Sequence, residues 1–308
     1  MDAVAQIVAG TALAIASGGV AAAVVALRKA AKLKKRSRRT ERQLAIARRD
    51  VDTLRRRLYR QAAASALHQT GRTPAFSPEF RSEFGEDAFL WEVFGGKPDG
   101  FFIEVGAFDG QTLSVTYAFE AVGWTGVLIE AIPARFEQCR RARPGSRVVH
   151  GALGAKGSSG TTRFTVAEGI DVLGESLQTL SFRHGLPGHE QEIRKRGGTP
   201  TEVTVPLTTM DAVLAAHQGP IDFASIDVEG AEAELLDGFD LARFRPRVLL
   251  VEDGTAGRNT QVPAMLDAAG YVGCGWIGYN RVYIRREEKD LVAKAVPLLS
   301  PEPMFADP

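Results

Sequence analysis

The sequence predicts an α/β fold: a mostly parallel sheet with helices on both faces, preceded by an N-terminal helix that crosses a membrane and continues as a stalk. Three observations carry the prediction. Short apolar runs at 100–105, 125–130, 147–153, 221–227 and 247–252 are separated, in most intervals, by segments of helical character. That alternation implies crossover connections and therefore parallel strands. Charge is divided along the chain: residues 1–67 hold fifteen Lys+Arg and four Asp+Glu, leaving 23 and 33 for the remainder of a chain whose net charge is only +1. Residues 3–27, finally, carry no charge at all.

That uncharged stretch is long enough as a helix, about 37 Å, to cross a bilayer core. A cleaved signal peptide fits poorly, because only Met1 and Asp2 precede it and neither is a cation. The basic cluster follows instead, from Arg28 to Arg39, and places the bulk of the chain on the cytoplasmic side of a cytoplasmic membrane as a single-pass protein. Further on, Leu44, Ala47, Val51, Leu54 and Leu58 recur at steps of three and four, flanked by arginines. This is one apolar seam on a basic helix, suited to anionic lipid or to a homodimer stalk. The expected organisation is thus a transmembrane helix at 1–27, a basic amphipathic stalk and linker at 28–77, a folded domain at 78–290 and a disordered, proline-bearing tail at 291–308. Membrane lipid is the expected partner of residues 1–60. Nucleic acid is not expected, since no aromatic interleaving or known binding module accompanies the basic residues. The two cysteines form no disulfide framework.

In the folded part, the run FFIEV is followed by GAFDG, residues 106–110. Ligands of parallel α/β sheets bind beyond the carboxyl ends of the strands, so Glu104 falls at the ligand end. Gly106 and Gly110 allow close backbone approach, and a helix expected directly after Gly110 would offer free amides to an anion. Phe108 stands where a nicotinamide fingerprint has its second glycine, which argues against that cofactor. Glu130 ends the second run about 20 residues later, placed to bind ribose hydroxyls. A nucleoside ligand with a carboxylate tail satisfies both features, and S-adenosyl-L-methionine has both parts.

The segments SEFGEDAFL, FFIEVGAFDG, GWTGVLIEAIP and FASIDVEGAEAELLDGFD, in that order, resemble the FkbM-type methyltransferases, with the likeness reaching from about residue 80 to 286. The resemblance implies a Rossmann-like class I methyltransferase sheet of seven strands, S-adenosylmethionine as cofactor, and O-methylation of a saccharide, glycolipid or natural-product acceptor. GYNRVYIRR at 278–286 is similar to the hairpin that closes such sheets. Ala131-Ile132 stand where many members have Pro-Asn, and residues 181–200 match no part of the family pattern.

Carried onto this chain, the resemblance implies that Glu104, Gly106, Ala107, Asp109 and Gly110 cradle the methionine end of the cofactor. Glu130 would hold the ribose, and Ala152, with His150 and Gly151, would meet the adenine. Asp227 and Glu229, two residues apart at the end of the fourth run, are the candidate catalytic carboxylates. Either serves as general base for a hydroxyl. Asp227 with Glu252 is the alternative, a candidate pair of Mg²⁺ ligands. Asp253 lies beside them, and Ser82, Glu86 and Asp87 precede the first run. His184 and His189 are further acid/base candidates in the unmatched segment. The competing reading is a non-catalytic membrane adaptor that keeps the ligand-binding fold, favoured by loss of cofactor binding in residues 78–308 alone; a nucleotide-binding regulator of the basic stalk would instead bind cofactor without turnover.

Overall fold

The computed structural model describes residues 20–169, 171–172, 175–176, 182–183, 189–195 and 197–303. Two compact units divide the chain, Met1–Arg57 and Leu58–Pro308. The first consists, over its described residues, of the leading part of one helix, Val20–Gln69. Val51, Leu54 and Leu58 of the predicted seam are exposed, as is Leu33. Most of the predicted membrane span, residues 1–19, lies outside the described residues. Among the described residues no helix is long and apolar enough to cross a membrane, because from Arg28 onward this one is densely basic. The membrane helix is therefore without structural support.

The second unit begins at Leu58, not at the residue 78 expected from the composition. The reason is local: Ala63 and Leu67 at the end of the long helix are buried in the domain core, and the Tyr59 ring packs on Phe80 at 5.4 Å. What reads as linker is part of the folded domain.

Seven strands form the main sheet: β1 Phe101–Val105, β2 Thr125–Glu130, β3 Arg147–His150, β10 Phe223–Ile226, β11 Val248–Glu252, β12 Tyr271–Ile277 and β13 Asn280–Arg285. Their order is β12-β13-β11-β10-β1-β2-β3. All neighbours from β11 to β3 run parallel, while β13 is antiparallel to both β11 and β12. The apolar runs become strands because they are covered on both faces. Phe102 packs with Phe119, Trp124 and Phe223 on one face; its neighbour Ile103 packs with Val127, Leu214 and Leu249 on the other. Alternation along one strand thus feeds two cores.

The third predicted run is two strands, not one. At Gly151 the backbone takes φ 156°, and the chain leaves β3 to start β4, Ala152–Leu153, in a second sheet. That sheet has the order β4-β9-β5-β8, built on the long hairpin of β5 Thr161–Glu168 and β9 Thr199–Thr208, with β8 Phe182–Arg183 at its edge. Between β5 and β8 lies a small two-stranded piece, β6 Asp171–Val172 with β7 Glu175–Ser176. The segment 181–200 that matched no family pattern therefore contributes to this accessory sheet, with a helix, His189–Lys195, leading into β9. His184 lies outside the described residues, as does the side chain of His189.

The expected disordered tail is also corrected. A helix, Lys289–Ala295, buries Leu291 and Ala295, and Ser300 pairs with Trp276 of β12 through both backbone amides, at 2.8 and 3.0 Å. Only residues 304–308 of that segment lie outside the described residues.

Candidate functional site

At the carboxyl ends of β1, β2, β3 and β10 opens a cleft of about 730 Å³, including the part open to solvent. Val105, Gly106, Phe108, Ile129, Glu130 and Ala131 form one stretch of its wall. Gly151, Ala152 and Phe164 form a second, and Asp227, Val228 and Glu229 a third. Of the residues predicted to bind cofactor, the structure brings Gly106, Glu130 and Ala152 together here. Glu104, Ala107, Asp109 and Gly110 stand behind the cleft.

Glu104 is the clearest correction. It is buried and accepts hydrogen bonds from the Val115 amide at 2.8 Å, from Ser114 Oγ at 2.9 Å and from Thr116 Oγ1. Arg143 Nη1 lies 3.7 Å from its Oε2. Arg143 is itself fully buried; it donates to Glu120 Oε2 at 2.9 Å, to the Gly110 carbonyl at 3.1 Å and to Thr116 Oγ1 at 2.9 Å. Burial raises the Glu104 pKa, with Arg143 and the three donors opposing. Glu104 thus fastens the loop 111–116 to the sheet and does not itself line the cleft. No helix starts at Gly110 either: residues 111–116 are turns, and the next helix is Tyr117–Ala121. Gly110 has φ 77°, and a Cβ there would stand 2.7 Å from Arg143 Cγ, so its glycine serves packing. Asp109 closes the same turn, accepting from the amides of Gln111 and Thr112. Ala107 is buried, its amide spent on the Ile129 carbonyl at 3.1 Å.

Gly106 behaves as expected of a cleft residue. Its φ is 80°, and a Cβ there would overlap the carbonyl oxygen of Asp227, so β1 and β10 close up only around glycine. Glu130 is buried at the end of β2. Its Oε2 accepts from the Phe108 amide and its Oε1 from the Ile132 amide, both at 2.7 Å. A carboxylate has about four acceptor positions, so both oxygens retain capacity for hydroxyl donors entering the cleft. Desolvation outweighs those amides and pushes the Glu130 pKa up to about 7. Because the folded value lies above the unfolded one of 4.5, this group's contribution to stability is complete below pH 4.5. It is lost as pH rises through about 7. Melting curves of the wild type and Glu130→Gln between pH 5 and 8 should therefore diverge, with wild type losing ground as pH rises. Glu86, also raised to about 7 by burial, is common to both proteins and cancels.

At the other end, Asp227, Glu229 and Glu252 bring one carboxylate oxygen each to within 4.8 Å of one another. Asp227 as a residue is exposed, yet its carboxyl is crowded by protein and hydrogen-bonded to that of Glu252. Burial and the charges of Asp227 and Glu229 hold the Glu252 pKa well above the carboxylate range, and burial raises Asp227 too, so the hydrogen-bonded pair favours holding a proton between them. Glu229 sits at φ 52°, in the left-handed region, next to Gly230 at φ 100°. Such strain persists where surrounding structure fixes it, commonly at ligand sites. Asp253 is turned away, its Oδ1 accepting from the Thr255 amide at 2.9 Å.

Ser82 Oγ donates to Asp87 Oδ1 at 2.6 Å within the entry segment, and Glu86, which accepts from Asn280 Nδ2 at 3.0 Å, ties that segment to β13. His150 faces out of the cleft, its Nε2 3.1 Å from the Ala131 carbonyl and its ring on Phe136. Two site residues escaped the sequence reading. Glu83 has its pKa raised by burial and, secondarily, by the charge of Asp227 nearby, and Phe164 enters from the accessory sheet.

Residues 104–272, more than half of the chain, match the family described as the methyltransferase FkbM domain. No curated protein matches the chain. Among solved structures, a TehB-like S-adenosylmethionine-dependent methyltransferase from Corynebacterium glutamicum is 11% identical with a TM-score of 0.34, covering 65% of this chain and 87% of its own. The METTL16 methyltransferase domain is 12% identical, also with a TM-score of 0.34, covering 65% of each chain.

Proposed function

Because the chain belongs to the FkbM methyltransferase family, and is a methyltransferase that uses S-adenosylmethionine, we propose that it O-methylates a saccharide or glycolipid hydroxyl. The observation that carries the oxygen acceptor is the Asp227–Glu252 pair, two hydrogen-bonded acids beside the cleft with Glu229 close by. The residues present fit the cofactor. Glu130 keeps acceptor capacity for ribose hydroxyls, Ala131, Ile132, Ala152 and Leu153 give an apolar wall for a base, and Asp227 and Glu229 suit the cationic end. When bound, S-adenosylmethionine supplies an activated methyl group on a sulfonium.

The chain's own work is orientation and proton removal. Asp227, which lines the cleft, accepts the hydroxyl proton as the oxygen attacks, while its hydrogen bond to Glu252 holds it in place. Glu229, fixed by its left-handed backbone, is placed to hold a neighbouring hydroxyl of the acceptor. A second reading rests on the spacing of the same three carboxylates, which suits a divalent cation such as Mg²⁺ that would lower the hydroxyl's pKa. The uncharged 3–27 segment and the basic cluster behind it support a membrane-bound acceptor met at the cytoplasmic face.

Transfer of labelled methyl from S-adenosylmethionine to a panel of saccharides and glycolipids, with and without chelator, tests this. Label in an alkali-stable methyl ether, formed in the presence of chelator, is the expected result. Activity lost to chelator and restored by Mg²⁺ would replace the base with a cation-held hydroxyl, and label on nitrogen would overturn the oxygen acceptor.

A further inference from the structure

We propose that Phe164, a residue of the accessory sheet rather than of the seven-stranded core, forms a wall of the adenine subsite and contributes to recognition of the nucleobase. The proposal rests on the cofactor reading above. Its starting point is the direction of the cleft. In the order β10-β1-β2-β3, Asp227 follows β10 while Glu130, Ala131 and Gly151 follow β2 and β3. From β10 to β3 is three strand spacings, about 14 Å, comparable to the reach of a nucleoside with an extended amino-acid tail. If the acids at β10 take the cationic end and Glu130 the ribose, the base falls on the β3 side.

On that side the wall is apolar. Ala131, next after Glu130, and Ala152, next after Gly151, are buried in one small cluster with Val205, and Phe164 packs against it together with Val203 and Leu207. The Phe164 ring is thus fixed from behind by the β5–β9 hairpin, where Phe164 pairs with Val203, and lines the cleft itself. A ring held rigidly at the edge of an apolar slot suits a planar purine, since aromatic stacking on a base tolerates little freedom and requires no hydrogen bond. The cluster also gives the accessory sheet a reason to be where it is: β4 continues directly from β3, so the hairpin is carried to the cleft by the strand that ends there.

The test is calorimetric titration of S-adenosylhomocysteine, and separately of adenosine, into the full chain and its Phe164→Ala and Phe164→Trp variants. Loss of a stacked ring should weaken both ligands by about tenfold in Phe164→Ala, while Phe164→Trp stays near the wild type. Nuclear Overhauser contacts between adenine protons and the Phe164 ring in the wild type provide a readout that does not depend on any variant folding. Unchanged affinity in a folded Phe164→Ala variant overturns the proposal, as does weakening of S-adenosylhomocysteine without adenosine, or absence of the adenine–Phe164 contact. Failure of the wild type to bind S-adenosylhomocysteine would instead remove the cofactor reading on which the proposal stands.

Discussion

Asp227→Asn should lower kcat by about 10²- to 10⁴-fold, the usual worth of a positioned general base, with a smaller loss of S-adenosylmethionine affinity because Glu229 still faces the cationic end. The reasoning is asymmetric across the pair. Asp227 lines the cleft, whereas Glu252 does not and reaches the site through its hydrogen bond to Asp227. Glu252→Gln keeps a donor toward the Asp227 carboxylate, so it should retain most activity, whereas asparagine at 227 has no site to take a proton. Single-turnover methyl transfer separates the two outcomes. Equal losses in both variants would mean that the carboxylates act together, as they would around a cation, and not as base and support.

The second large effect lies behind the cleft. Arg143→Met should destabilise the domain by about 3–5 kcal/mol, the cost of leaving charge unpaired in a protein interior. For a unit of this size the midpoint should fall by about 10 °C. Glu104 and Glu120 would both lose their cationic partner, and the carbonyl of Gly110 one of its donors. Arg143→Lys should recover little, because one ammonium cannot reproduce a planar fork reaching Glu120, Gly110 and Thr116 together. Urea unfolding of both variants measures this. A loss below about 1 kcal/mol, the range of an exposed ion pair, would show that the network is not the fastening described here.

The same network explains where sequence reasoning succeeded and where it failed. β1, β2, β10 and β11 were legible because strands covered on both faces are apolar runs, while β3, half-exposed at the sheet edge, was legible only as the front of a longer run. The ends of those strands were legible too, since Gly106, Glu130 and Asp227 occupy the side of a parallel sheet where ligands bind. Glu104 shares their position along a strand, yet its partner is Arg143, thirty-nine residues on, at the end of a helix that reads as an ordinary basic segment. A contact between distant residues leaves no periodicity to find. Phe164 was missed for a related reason: TTRFTVAE alternates like any half-exposed strand, and nothing local reveals that its hairpin borders the cleft. The domain start was misplaced because Ala63 and Leu67 sit on the same continuous helix as the stalk, with only small or ordinary apolar residues to mark them, although they face the core.

The most direct measurement is calorimetric titration of S-adenosylmethionine into the full chain beside its Glu130→Ala variant. The account predicts one site in the wild type and an affinity lowered at least tenfold in the variant, because one to two charge-assisted hydrogen bonds to the ribose are lost. Equal affinity in both proteins would contradict it by placing the cofactor outside the cleft that Glu130 closes.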